Sequence, residues 1–372
     1  MLFGLVTLSI PWVRHRMYEA FYFLHIIIAV LFVILCFWHF DNIMDSWYYL
    51  WATLGIWGFS WLARVFAKNS AISYGRAFPT TVSVISDKLM ALDIFVPRSL
   101  TWQPGQHVFL RCQALGSIHN HPFTIASVSE EGGKEDYHTI RLLARTRSGF
   151  TRTFAQHMSQ NTAWSPHVTV DGPYGTTLPS LARNFDHALL AAGGSGISFV
   201  LPWLKHLVLS ADNKITTVKL VWAVADAREL ETMQEDFKQV ARAAQAKGMR
   251  LLLDVYMTRS AKAVDTCCAV PGQEEVADQK ALEEITTMSV TSDVATPMIE
   301  KRSSSTLTEH IGRPLLTEVV PSLLDEPGRW IVLGCGPEMF KIDLCNAVAA
   351  AQKMVLRSEI EELALQTETF GW

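Results

Sequence analysis

The sequence predicts a multi-domain chain: transmembrane α-helices, then an antiparallel β-barrel, then an α/β domain built on a parallel sheet. Three features carry that prediction. Residues 1–66 are apolar and poor in charge. Ala77–Pro173 breaks into short strands between turns, and from His187 onward apolar strands alternate with helical segments. The boundaries fall at 1–68, 69–182 and 183–372, with a polar insertion at about 261–314 in the last part.

Composition agrees with a partly membrane-embedded chain. Its 372 residues include 12 Trp and 19 Phe, and mean hydropathy is +0.17. The net charge of −4 and the scattered basic residues give no reason to expect a nucleic-acid partner. Cysteines at 36, 112, 267, 268, 335 and 345 form no CxxC or zinc-like spacing, which fits free thiols in a reducing compartment. Met1–Pro11 lacks a basic n-region and a cleavage site. It reads as the tail of a preceding span rather than a signal peptide.

Met17–His39 is an apolar run of about 23 residues, which as a helix rises ~34 Å, enough to cross a bilayer core. Ser46–Phe66 is a second, Trp-rich candidate. Arg14, His15 and Arg16 before the first span, with Arg64 and Lys68 after the second, place both flanks in the cytosol. The acidic Asp41–Asp45 loop then lies outside. His25 and His39 stand fourteen residues apart, about 40° short of four full turns and ~21 Å along one helix face. Two imidazoles so placed suit one haem iron each. The alternative puts His39 at the interface and hydrogen-bonds His25 to a neighbouring helix.

In the barrel segment, Thr81–Ile85 and Met90–Val96 alternate with period two around a turn at Asp87-Lys88. His121-Pro122-Phe123-Thr124 offers an imidazole and a hydroxyl at a stiffened turn, suited to a flavin ring and its ribityl chain. Arg145–Thr151 brings arginines, hydroxyls and Gly149 to a helix starting near Thr151, where backbone N–H groups donate to phosphate oxygens. Both motifs are short and are also compatible with ordinary turns.

In the last part, strand His187–Ala192 runs into Gly193-Gly194-Ser195-Gly196 and a helix at Ile197–Leu209. Such glycines let the backbone approach a pyrophosphate, although the spacing is not GxGxxG. Strand Val218–Val224, helix Glu229–Ala246 and strand Arg250–Tyr256 continue the alternation. A final strand, Trp330–Leu333, leads into Gly334-Cys335-Gly336-Pro337 and helix Glu338–Gln352. Cys335 is placed beside the nicotinamide C4, or is simply a small residue in a tight turn. After Val224 come Asp226, which favours a free ribose hydroxyl, and Arg228, which favours a 2′-phosphate. Ala261–Pro314 has no clear period and reads as disordered.

Taken together, the span with His25 and His39, the HPFT, GPYG, GGSGIS and CGP motifs and the terminal Glu368-Thr369-Phe370-Gly371-Trp372 resemble the fungal ferric reductases, relatives of the NADPH oxidases. The resemblance runs from about Met1 to Trp372. It implies a ferredoxin reductase-like pair of cytosolic domains, with FAD on His121, Pro122, Phe123, Thr124, Gly149 and Thr151. NADPH would lie on Gly193, Gly194, Ser195 and Gly196, with Gly334, Gly336 and Pro337 opposite. Cys335 and Trp372 would carry catalysis, Trp372 by covering the flavin. Haem b would bind His25 and His39 as axial ligands. Electrons would cross the plasma membrane to extracellular ferric or cupric chelates for metal uptake. The family's further upstream spans carry the opposing haem ligands, and this chain begins inside the preceding span. A full-length subunit or an iron permease is therefore an expected partner. Three other readings stay open: a superoxide-producing oxidase, a haem-less membrane-tethered flavin reductase, and an inert fragment that pairs with full-length subunits.

Overall fold

The computed structural model describes residues 18–69, 77–115, 120–129, 136–146, 149–161, 164–175, 181–210, 213–259 and 305–368, with residues 6 and 10. Trp372 and the Cys267-Cys268 pair lie outside these residues.

Two helices come first. Helix α1, Tyr18–Phe40, has 23 residues, and α2, Ser46–Asn69, has 24. They are joined by a tight turn in which Asp41, Asn42, Met44 and Asp45 take positive φ. The Trp47 indole donates to the Phe37 carbonyl at 3.1 Å, and the Phe37 and Trp51 rings lie 5.1 Å apart. Among the described residues one helix is long and apolar enough to cross a membrane: its Phe23–Phe40 window has a hydropathy of 2.6. The second expected span is helical over its whole predicted length but falls short in apolarity. Ser46, Thr53, Gly55, Gly58 and Ser60 dilute its aromatic residues.

The barrel segment forms a six-stranded sheet of β1 (Ala77–Ser86), β2 (Leu89–Pro97), β3 (His107–Arg111), β4 (His121–Thr124), β5 (Tyr137–Arg145) and β6 (His167–Tyr174). Their spatial order is β4-β3-β6-β1-β2-β5. The pairs β1/β2, β2/β5 and β3/β4 run antiparallel. One bridge, Ile125 to Leu142, joins the two edges and closes the sheet on itself, as predicted. Helix α3, Phe150–Gln160, follows β5 and buries Phe154 and Met158. A short helix, α4 (Leu181–Asn184), leads onward.

The remaining chain builds a parallel sheet in the order β10-β9-β8-β7-β11-β12. Its strands are β7 (His187–Gly193), β8 (Thr217–Val224), β9 (Arg250–Met257), β10 (Ser305–Ile311), β11 (Arg329–Cys335) and β12 (Glu362–Glu368). Helices α5 (Ile197–Leu209), α6 (Ala227–Lys247), α7 (Leu316–Leu323) and α8 (Glu338–Leu356) connect them. Every residue of β7 is buried, the continuous apolar run expected of a strand covered on both faces. Leu189, Val221, Trp330, Val332, Leu316, Val320, Leu344 and Val348 share one core cluster.

Two expectations are corrected here. The insertion is not irregular to Pro314: Ser305–Ile311 pairs in register with Leu251–Met257 as an edge strand. Trp330–Leu333 is also not the last strand, because Glu362–Glu368 adds to its outer side. Both added strands are polar, and edge strands tolerate polar side chains because they have one free side.

Candidate functional site

The β3/β4 register pairs His107 with Thr124, Val108 with Phe123, Phe109 with Pro122 and Leu110 with His121. Opposed residues share a face, so the HPFT motif divides in two. His121 and Phe123 stand with the fully buried Val108 and Leu110. His121 stacks on Phe150, the first residue of α3, with ring centres 4.6 Å apart and planes 18° apart; Phe123 is 6.3 Å from the same ring. Immediately before it, Gly149 takes φ +68, a conformation few other residues adopt, and no side chain caps the helix. The predicted imidazole and the predicted phosphate turn thus meet across the barrel. Pro122 and Thr124 belong to the other face, with His107 and Phe109. There His107 and Phe109 lie 6.0 and 5.5 Å from the Tyr174 ring. Burial holds the His107 imidazole below its ordinary pKa. Thr151 follows in the first turn of α3.

The glycine loops of the parallel sheet meet at the carboxyl ends of β7 and β11, on either side of the point where strand order reverses. A Cβ on Gly196 would fall 2.1 Å from the Cys335 carbonyl oxygen, and one on Gly336 would lie 2.7 Å from the Phe340 ring. On Gly193 it would meet Pro337 at 2.9 Å. The two loops therefore pack closely, which brings Gly193, Gly196, Gly336 and Pro337 together. Gly194 differs: it takes φ +55, and a Cβ there would meet nothing nearer than the Arg145 guanidinium, at 3.7 Å. An open backbone beside a cation, at the start of α5, fits a dinucleotide pyrophosphate. The Trp222 indole holds this turn by donating to the Gly194 carbonyl at 3.1 Å, and the Ser198 hydroxyl donates to the Ser195 carbonyl at 3.0 Å. Gly334 has a different reason for its lack of a side chain, since a Cβ would fall 2.2 Å from Leu344 in the core.

Cys335 ends β11 between Ala192 and Glu368 of the neighbouring strands. Burial, with the Glu368 charge nearby, pushes its thiol up to about 12, so it stays protonated at physiological pH. Glu368 is itself raised by burial, and the Lys341 charge partly offsets this.

Three features escaped the sequence reading. Arg145 points to the dinucleotide turn as well as preceding the flavin turn. Trp222 pins Gly194. Glu368 was noted only as part of the terminal motif, and its place beside Cys335 needs the β11/β12 register. Trp372 lies outside the described residues.

His25 and His39 both sit on α1, with His39 exposed and the His25 Nδ1 buried with no hydrogen-bond partner. That orphaned nitrogen is compatible with an axial ligand. No group of three or more metal-ligating side chains occurs among the described residues, and α2 carries no histidine. The described residues thus offer one imidazole per haem and do not complete a two-histidine axial pair.

Comparison with known proteins matches residues 76–178 to an FAD-binding domain and residues 185–349 to the ferric reductase NAD binding domain. Residues 76–349 of this chain thus belong to an FAD-binding domain followed by a ferric reductase NAD binding domain. Its relatives are fungal ferric reductases. A probable cell surface ferric reductase of Aspergillus oryzae is 32% identical over 62% of this chain and 32% of its own length. Ferric/cupric reductase transmembrane component 7 of Saccharomyces cerevisiae is 30% identical over 61% of this chain and 36% of its own. Component 2 from the same yeast aligns with 99% of this chain and 49% of itself, at 26% identity. The chain spans a third to a half of the length of these relatives. Among solved structures, a ferredoxin NADP+ reductase from Neisseria gonorrhoeae covers 80% of this chain and 98% of its own, at 14% identity and TM-score 0.49. Within the FAD-binding domain lie His121–Thr124 and the Gly149 turn. Within the NAD binding domain lie both glycine loops.

Proposed function

We propose that the chain is an NADPH-dependent reductase of ferric or cupric chelates. It would be anchored in the plasma membrane by its N-terminal helices, with the FAD-binding and NAD binding domains in the cytosol, and would serve metal uptake. The observation that carries this reading is the open Gly194 turn beside Arg145 at the β7/β11 switch point, in a chain whose preceding domain is FAD-binding. When bound, the cofactors would supply hydride transfer from nicotinamide to flavin, whose two electrons would then leave singly and whose proton would return to solvent.

The chain's own residues bind and position. Gly194, held in the Gly193–Gly196 turn, presents open backbone to the pyrophosphate, while His121, Phe123 and Phe150 form the aromatic side of the flavin site. Cys335, protonated and buried, fills the floor between the loops without acting as an acid or base at neutral pH. Full-length subunits or an iron permease are the expected partners.

A haem-less flavin reductase on a membrane tether is the second reading. An absorption spectrum of the detergent-purified chain, oxidised and reduced, with flavin quantified after denaturation, separates the two. Flavin with a six-coordinate b-type spectrum supports haem relay, with the opposing ligands supplied from beyond the described residues. Flavin without a Soret band leaves the second reading. The absence of flavin overturns both.

A further inference from the structure

Helix α8 buries Leu344, Ala347, Val348 and Ala351 in the core of the parallel sheet. Its outer side differs from that of α6, the other long helix of this domain, which carries Glu231, Glu235, Lys238 and Arg242 to solvent. On α8 the exposed side chains include Met339, Ile342 and Leu356, at 68%, 42% and 87% of full exposure, with Ala349 and Ala350. Single exposed apolar residues are ordinary on a protein surface, but a row of them marks an interaction site.

The row has a period. Met339, Ile342, Asn346, Ala349, Lys353 and Leu356 are all exposed and are spaced by three, four, three, four and three residues. That is the spacing of a coiled-coil seam, and at ~100° per residue the six fall within about 100° of one another along ~26 Å of helix. The seam also complements itself. In two copies related by a two-fold axis through the middle of α8, with the helices antiparallel, Met339 lies opposite Leu356, Ile342 opposite Lys353 and Asn346 opposite Ala349. The apolar ends cover each other, and Ala349 leaves room for the Asn346 amide. The Lys353 stem lies over Ile342, and its ammonium comes level with Asp343 of the other copy. Charge follows the same symmetry: Glu338 and Asp343 stand in the first half of the helix and Lys353 in its last turn. Lys341, the other charge of the first half, is half-buried and acts on Glu368.

We infer that the outer face of α8 is a homodimer interface, and that its occupant is the same face of a second copy of this chain. A foreign helix would give no reason for a seam that complements itself from either end. The inference does not depend on the proposed cofactors or substrate. Met339 follows Pro337 by two residues, so one helix carries both the second glycine loop and the seam. One 19-residue helix from each copy makes a small interface, so pairing should be weak, with half of the chain dimeric at on the order of 10 μM.

The test is sedimentation velocity of the full chain in density-matched detergent, from about 1 to about 100 μM. The parent should pass from monomer to dimer across that range. Ala349→Arg sets a long charged side chain at the closest approach and should weaken the dimer by about tenfold or more. Asp343→Lys alone, or Lys353→Asp alone, brings like charges level and should weaken it by about threefold or more. Asp343→Lys combined with Lys353→Asp should return the dimer to within about twofold of the parent. The two positions lie ~15 Å apart on one helix, so they can restore each other only between copies, which a change in folding would not imitate. A parent that is still monomeric at about 100 μM overturns the proposal and leaves the face to a helix of another protein. A dimer that Ala349→Arg leaves within about twofold of the parent, or that the combined exchange fails to restore, overturns it as well.

Discussion

Single residues in the two glycine loops do different work, and substitution separates them. Gly196→Ala drives a methyl into the Cys335 carbonyl, backbone against backbone, with nothing flexible to give way. We expect a loss of about 3 kcal/mol or more, read as a fall in the denaturation midpoint. Gly194→Ala meets open space and costs only its positive φ, about 1 kcal/mol. Equal losses at the two sites would remove the argument that the loops are close-packed. Cys335 gives a second prediction. With its thiol buried and pushed up to about 12, Cys335 stays protonated, so iodoacetamide on the native chain at pH 8 should label the half-exposed Cys345 before Cys335. Early labelling of Cys335, mapped by mass spectrometry, would show the site to be open. The loops were legible in the sequence because glycine answers a local backbone demand. The stacking of His121 on Phe150 and the pairing of Cys335 with Glu368 were not, because each joins residues far apart in the chain.

At the scale of elements, strands and helices are read from periodicity, and the errors fall where periodicity does not decide. Ile197–Leu209 is found to the residue because its apolar face is dense and glycines precede it. Glu362–Glu368 and Ser305–Ile311 were missed because an edge strand needs little hydrophobicity to pair. Helix α6 joins its sheet to the barrel through a buried contact: the Ser86 hydroxyl donates to Glu229 in its first turn at 3.1 Å. Burial raises the Glu229 carboxyl, with the Ser86 bond and the Arg145 charge pulling the other way. The folded chain then holds this proton more tightly than the unfolded one. Its contribution to stability is complete below the ordinary carboxylate range and is lost as pH rises through the raised value. Glu229→Gln still accepts from Ser86 and cannot ionise. It should melt above the parent at pH 7 to 8, with the gap closing toward pH 4. A gap that is constant with pH would mean that Glu229 is not the titrating group.

For the whole molecule, the decisive question is which parts stand alone. Apart from Ala77 and Thr169–Gly172, the described barrel and parallel sheet share one compact unit, joined by the Ser86–Glu229 contact and by the Gly105 turn against Trp203. Helices α1 and α2 fall in a different unit. On the proposed function, hydride transfer and electron release would need only the unit that holds the two sheets, and delivery across a bilayer would need both. A chain begun at Ala77 should therefore purify without detergent and retain FAD. It should also reduce a soluble acceptor such as ferricyanide with a nicotinamide dinucleotide, at a rate comparable with the parent under the same conditions. Parent and truncated chain would then differ only in membrane association and in reduction across a sealed vesicle. If the shortened chain folds by circular dichroism but carries no FAD, residues before Ala77 complete the flavin site, and the division of labour proposed here fails at its first step.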